Sequence, residues 1–329
     1  MTDPGRILIV KLSAIGDCLH ATPALEALRT TYPSHHIGWA VHLHCAPVVT
    51  GNPFVSQIHR YDRKQFWKSL GILTKSIRKA RYDTVLDQQG LFKSGLVTRL
   101  SGAKRRFGPQ EAREQAGVFY TDKLPDQRGN HIVDCYLNRA AAIGARWEQT
   151  PRMYFPTDHR DAAYAQMLWE ECDIDEGQPV VVLNPSAGKP FKQWAPERFA
   201  RLAEALVQEH GAKCLITGSR GDRPLADGIL HALHDKGIVH DMIGRTSLSQ
   251  LAALFRRVNL FVGGDTGPMH MAQAMGCPVL ALFGPTNPQV LGPREPIHRT
   301  IYHPATREQG MTQITVEEVV AECATMLSR

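Results

Sequence analysis

Apolar residues fall along this chain in short runs separated by longer amphipathic stretches. The first run, residues 6–11, predicts a strand, and a glycine-containing loop follows it. Residues 21–31 then carry the period of a helix, with Thr22-Pro23 as N-cap and first-turn proline. The rhythm continues with a strand over 36–43, a mostly helical stretch over 61–79 and a strand over 82–87. A helix over 91–100, a strand over 104–108 and a helix over 132–143 close this half. Short apolar strands alternating with helices predict a parallel sheet covered on both faces.

Residues 150–157 carry two prolines and no helical period, which predicts a linker. Beyond it the alternation restarts: helices over 158–171, 196–210, 224–234, 247–257 and 269–275 interleave with strands over 179–183, 213–217, 238–243, 259–262 and 278–283. A helix over 316–327 ends the chain. The expected fold is α/β, with two doubly wound Rossmann-like domains, 1–150 and 151–329, facing across a cleft. The terminal helix, about 315–328, is expected to pack back on the first domain. No close internal sequence repeat accompanies the two halves.

Composition narrows the function classes. At 43% hydrophobic and 21% charged residues, the chain has a normal globular balance. No segment approaches the roughly 18 uninterrupted apolar residues of a membrane span, and the opening run is too short for a secretory signal, so a cytoplasmic protein is expected. Seven scattered cysteines form no C-x-x-C pair and read as small core residues rather than a disulfide framework or zinc site. The histidine pairs His35-His36 and His42-x-His44 lack clustered cysteines or carboxylates at ligand spacing. The net charge of +6 favours an anionic partner, and thirteen of the basic residues fall between Arg60 and Arg106. They read either as solvated helix faces or as the bank of an anionic acceptor site. No aromatic-interleaved recognition motif accompanies them, which argues against nucleic acid.

Open parallel sheets bind ligands at the carboxyl ends of their strands, so the loops there hold the candidate chemistry. Lys11-Leu12-Ser13-Ala14-Ile15-Gly16-Asp17 follows the first strand and is neither a dinucleotide fingerprint nor a Walker loop. Its carboxylate, Asp17, either stabilises the first turn of the next helix or accepts a proton from a substrate hydroxyl. Residues 183–194 place small residues, Lys189 and Lys192 between a strand and a helix, where backbone N–H groups can approach phosphate. Val262-Gly263-Gly264-Asp265-Thr266-Gly267-Pro268-Met269-His270 opens a helix stripped of bulk, suited to a diphosphate. Asp265 would repel phosphate, so it holds the loop or contacts a hydroxyl, and His270 either joins it or is packed. Residues 283–288 supply a rigid wall. Asp173-Ile174-Asp175 matches the D-x-D of metal-dependent transferases but lies between a helix and a strand, and reads as a solvated turn. Two anion-binding loops without a hydride-transfer fingerprint point to a nucleotide-sugar transferase.

Four motifs carry a resemblance: Lys11-x-Ser13-x-x-Gly16-Asp17 with Thr22-Pro23-Ala24-Leu25, Asp87-x-Gln89-Gly90-Leu91-x-Lys93-Ser94, Lys192-x-Trp194-x-x-Glu197, and Asp265-Thr266-Gly267-x-x-His270. In order and spacing they resemble the ADP-heptose:lipopolysaccharide heptosyltransferases. The motif from Asp87 to Ser94 is more similar to heptosyltransferase I than to II. The resemblance implies a GT-B fold and an inverting transfer from ADP-heptose to the Kdo region of the inner core; in that scheme lysine and a helix terminus do the electrostatic work, so no metal or other cofactor is expected. It implies Asp17 as general base and Lys192 as the donor-phosphate lysine, with Asp265, Thr266, Gly267 and His270 as the donor-binding motif. Ser186 is expected beside the donor, and Asp222 stands as a guess for the ribose-binding acid, because residues 219–223 match poorly. The acceptor, Kdo-lipid A or a similar anionic glycolipid, is expected against Ser13, Gly16, Arg63, Gln89 and Lys93. Such an acceptor implies peripheral contact with the cytoplasmic face of a bacterial inner membrane. The same enzyme class with another donor or acceptor, a GT-B sugar-nucleotide epimerase and a non-enzymatic nucleotide- or nucleic-acid-binding module are the alternative readings.

Overall fold

The structure is a computed structural model that describes residues 5–62, 64–125 and 130–328. It divides into two compact units, Met1–Pro156 and Thr157–Arg329, within the proline-bearing linker.

The first unit runs β1 (Arg6–Val10), α1 (Ile15–His20), α2 (Thr22–Thr31), β2 (His36–His42), β3 (Gln57–Tyr61), α3 (Phe66–Ala80), β4 (Thr84–Asp87), α4 (Phe92–Leu100), β5 (Arg105–Pro109), β6 (Asp122–Leu124) and α5 (Ile132–Ala142). The second runs α6 (His159–Glu171), β7 (Val180–Asn184), α7 (Pro196–His210), β8 (Lys213–Ile216), α8 (Arg223–Ala232), β9 (Val239–Asp241), α9 (Leu248–Phe255), β10 (Leu260–Gly264), α10 (Gly267–Ala274), β11 (Val279–Phe283), α11 (Pro288–Leu291), β12 (Arg299–Tyr302) and α12 (Val316–Leu327).

Every strand pairing is parallel. The first sheet has the order β3-β2-β1-β4-β5-β6 and the second β12-β11-β10-β7-β8-β9. Counted from each unit's own first strand, both are the doubly wound order 3-2-1-4-5-6. One topology is thus built twice without a sequence repeat, because a strand covered on both faces requires only apolar character. The central strands β1, β7, β10 and β11 are accordingly buried along almost their whole length. The cores form around them, from Leu8, Val10, Leu73, Ile77 and Val85 in one unit and Val181, Trp194, Phe199, Leu260 and Val319 in the other.

The order fixes where chemistry belongs. In each sheet the winding reverses between the first and fourth strands, and a crevice opens there at their carboxyl ends. Those strands are β1 and β4 in the first unit, β7 and β10 in the second.

Several sequence expectations need correction. The helix expected over 61–79 begins only at Phe66, because Tyr61 ends β3. The strands β3, β6 and β12 carry too many polar residues to stand out; β3 and β12 are edge strands and β6 is three residues long, positions that tolerate polarity. Residues expected to be loop form α1, and Thr22 is not the cap of α2 but its first residue, its hydroxyl donating to the Leu19 carbonyl at 2.7 Å. The terminal helix buries Val316, Val319 and Cys323 in the second unit's own core and packs on α7. Six of the seven cysteines are buried, as small core residues would be. Among the described residues no helix is long and apolar enough to cross a membrane.

Candidate functional site

At the switch point of the first sheet, β1 runs into Lys11 and the loop to α1. Lys11 is buried, and its ammonium donates to the Tyr136 hydroxyl at 2.7 Å and toward the Gln88 carbonyl at 3.4 Å. The same nitrogen stands 3.9 Å from Asp17 Oδ1. Burial alone would lower the lysine's pKa, but the Tyr136 hydroxyl and the Asp17 carboxylate outweigh it and raise the value, so a charged ammonium lies beneath Asp17. Asp17 sits in the first turn of α1, where Oδ2 accepts from the Ala14 N–H at 3.1 Å. Its side chain remains 45% exposed. The carboxylate therefore caps the helix, the first of its two readings, and still meets solvent.

The loop is held by a clamp from β4. Gln89 Oε1 accepts from the N–H groups of Leu12 (2.7 Å) and Ser13 (3.2 Å). Gln89 is in turn aimed by Asp87, whose buried carboxylate accepts from the N–H groups of Gln89 and Gly90 and from the Tyr120 hydroxyl, at 2.8, 3.1 and 2.8 Å. Burial pushes the Asp87 carboxyl up despite those bonds. Gly90 has φ 73°, and a Cβ there would lie 2.5 Å from Pro109 Cγ, so the turn requires glycine. Gln89 thus positions the Asp17 loop; Ser13 is half-buried, Gly16 buried and Lys93 exposed on α4. Arg63 lies outside the described residues. Gln89→Leu strips the acceptor from two backbone N–H groups, and a loss of roughly 1–3 kcal/mol is expected, with a lower kcat. Thermal unfolding and turnover check this, and unchanged stability would contradict the clamp.

The second switch point gathers cations and a helix terminus. At the end of β7, Asn184 is buried and donates to the Thr217 carbonyl and hydroxyl at 2.9 and 3.2 Å. Its Oδ1 accepts from the Ser186 hydroxyl at 2.8 Å, fixing the start of the next loop. Trp194 fixes the other end, buried against Phe199 with its indole N–H on the Ile314 carbonyl at 3.0 Å. Between these anchors Lys192 Nζ reaches Asp265 Oδ2 at 2.5 Å. Gly264 permits the approach, since a Cβ there would stand 3.0 Å from the Lys192 carbonyl.

Asp265 is buried and gripped from both sides, with His270 Nε2 3.3 Å from its other oxygen. It holds the loop, one of its two expected roles. Burial pushes its carboxyl up, but the His270 bond and charge, followed by those of Lys192, outweigh it and hold the value at about 2, against an ordinary 3.8. A depressed carboxylate stabilises the fold above its unfolded pKa and loses that contribution as pH falls through the folded one. The contribution, about 2 kcal/mol, should drain between pH 3.8 and about 2. Asp265→Asn should flatten that acid limb in unfolding curves, and an identical limb in both proteins would contradict it.

Thr266 precedes α10, whose first turn begins Gly267-Pro268; the Gly267 N–H has no acceptor within the helix, and Pro268 has no N–H to satisfy. The Thr266 hydroxyl is buried without a hydrogen-bond partner among the described residues. A dipole end, a lysine and an orphaned hydroxyl are the kinds of group that anion sites use. Asp222 is turned to local work, its Oδ2 accepting from the Ser219 N–H and hydroxyl at 2.7 and 2.6 Å. Asp173 and Asp175 are exposed after α6, and among the described residues no group of three or more His, Cys, Asp or Glu gathers as a metal site requires.

Sequence reading passed over Lys11, Tyr136 and Asn184 as site residues. Lys11 stood in the first motif. The contact of Tyr136 with it spans 125 positions and leaves no local trace.

The family model for glycosyltransferase family 9 (heptosyltransferase) matches residues 71–317. The lipopolysaccharide core heptosyltransferase OpsX of Haemophilus influenzae is 27% identical, covering 87% of this chain and 80% of its own. Lipopolysaccharide heptosyltransferase 1 of Escherichia coli K12 is 29% identical, covering 87% and 90%. The solved structure of E. coli ADP-heptose lps heptosyltransferase II superposes with a TM-score of 0.82 at 24% identity, covering 98% of each chain.

Proposed function

The chain belongs to glycosyltransferase family 9 (heptosyltransferase), and from that premise we propose that it moves a heptose from ADP-heptose to the Kdo region of a lipopolysaccharide inner core, inverting the anomeric carbon. One observation carries this reading: the two switch points hold complementary chemistry. In the first, a half-exposed carboxylate stands over a buried ammonium. In the second, Lys192 pairs with Asp265 at the foot of α10, and the Thr266 hydroxyl just before that helix is orphaned among the described residues.

The reaction is a single displacement. Asp17 takes the proton from an acceptor hydroxyl as that oxygen bonds to the anomeric carbon. The bond from that carbon to the diphosphate breaks, and ADP leaves with the electron pair. Lys192 and the N–H groups at Thr266 and Gly267 stabilise the charge that develops on the leaving oxygen. Ser186 and His270 border the donor, and Ser13, Gly16, Gln89, Lys93 and Arg63 border the acceptor. Asp222 stays a proposal for the ribose, with one oxygen already engaged by Ser219. Lysine and helix terminus supply the electrostatic work, so no metal or other cofactor is called for. ADP-heptose and an anionic glycolipid such as Kdo-lipid A are the substrates, and the enzyme works at the cytoplasmic face of the inner membrane by peripheral contact.

Product analysis tests this. Incubation with ADP-heptose and deacylated Kdo-lipid A should add one heptose by mass, and its anomeric configuration by NMR should be opposite to the donor's. A retained configuration would defeat the single displacement.

A further inference from the structure

We infer that the exposed face of α3 is a docking surface for an anionic lipid bilayer. The inference rests on the reading above, in which the acceptor is anchored in a membrane, and deepens it by naming the surface.

The helix has two unlike faces. Leu70, Leu73, Ile77 and Ala80 are buried in the unit's core, and α3 packs on β3 and α4. The opposite side carries Trp67, Lys68, Gly71, Ile72, Lys75, Arg78 and Lys79, all exposed. At 3.6 residues per turn these seven fall within roughly 140° of the helix surface. Trp67 and Ile72 are each 74% exposed, beyond any other large apolar side chain among the described residues except Val118.

Charge selects the occupant. From Lys64 to Arg81 there are six cations and no carboxylate. The flanking acids are engaged locally: Asp62 accepts from the Lys64 N–H at 2.9 Å, and Asp83 from the Arg6 N–H at 2.7 Å. An ordinary solvated helix mixes both signs, whereas lysines interspersed with exposed tryptophan and isoleucine match a surface that is negative outside and apolar just beneath. A protein partner of acidic character would satisfy the lysines but gives no reason for Trp67 and Ile72 to straddle them.

Position agrees. The helix starts just after β3 ends at Tyr61, so its first turn stands at the carboxyl edge of the sheet, the edge that carries the Asp17 loop. A bilayer met there brings lipid-anchored sugars to the side of the unit where the base lies.

Co-sedimentation with phosphatidylglycerol and with phosphatidylcholine vesicles tests the inference, using the full chain, the variant Lys68→Gln/Lys75→Gln/Lys79→Gln and the variant Trp67→Ser/Ile72→Ser. The unaltered protein should sediment with phosphatidylglycerol, release at high salt and ignore phosphatidylcholine. At about fivefold per cation, the triple variant should bind roughly a hundredfold more weakly, and the double variant should also lose affinity. Circular dichroism and turnover of the deacylated acceptor should be unchanged in both. Equal binding to both lipids, no binding to either, or variants that bind like the parent would overturn the inference. Failure of the unaltered protein to process the deacylated acceptor would instead strike the transferase reading, whatever the vesicles show.

Discussion

Replacing Asp17 by asparagine is expected to lower turnover roughly 10²–10⁴-fold, the usual worth of a positioned base, with fold and ADP affinity intact. Asparagine keeps an oxygen that can accept from the Ala14 N–H, so the cap on α1 survives. The carboxylate is half-exposed and 3.9 Å from Lys11, beyond hydrogen-bond reach, so asparagine weakens the support of the buried ammonium without removing its bonded partners. Lys11 keeps its bonds to Tyr136 and Gln88. What asparagine cannot do is take a proton from the attacking hydroxyl. The loss should therefore appear in kcat while ADP binding by calorimetry is unchanged. A folded variant with parental turnover would remove Asp17 from the mechanism.

Lys192→Met is expected to lower kcat/KM roughly 10²–10³-fold, comparable to removing one preorganised donor from a developing oxyanion. The loss has two sources. Methionine supplies no charge to the departing diphosphate. It also leaves Asp265, which lies 2.5 Å from the lysine, with His270 alone beside an anionic ligand. The second source makes a distinct forecast. Adding Asp265→Asn removes the uncompensated charge, so the double variant should bind ADP better than the sum of the single losses predicts. Additive losses in ADP affinity would show that Lys192 and Asp265 act independently, against the geometry.

Legibility in the sequence followed physical scale. The alternation of apolar runs and amphipathic stretches disclosed two parallel-sheet units because β1, β7, β10 and β11 must be apolar throughout. It concealed β3, β6 and β12, which are short and rich in polar residues. The strand-end loops were legible because the switch points draw function to a few turns, and glycine, proline and lysine mark those turns. Trp194 shows how a motif position can be architectural: it pins the loop that aims Lys192. The clamp from Gln89 to Leu12 and the Tyr136 support under Lys11 join residues 77 and 125 positions apart, and no local pattern records them. Asp265 was bounded in advance by electrostatics, since a carboxylate among phosphate-binding groups needs cations of its own. The face of α3 was visible as charge between Arg60 and Arg106, but its exposed Trp67 and Ile72 emerged only once burial separated the two sides.

The most direct measurement is ADP release on mixing the protein with ADP-heptose and deacylated Kdo-lipid A in EDTA, with UDP- and GDP-sugars as competing donors. Release that needs both ADP-heptose and acceptor, proceeds without metal and collapses in Asp17→Asn is the predicted result. Release without acceptor, or none from ADP-heptose while another nucleotide sugar reacts, would contradict the assignment of this chain as a heptosyltransferase acting on the lipopolysaccharide core.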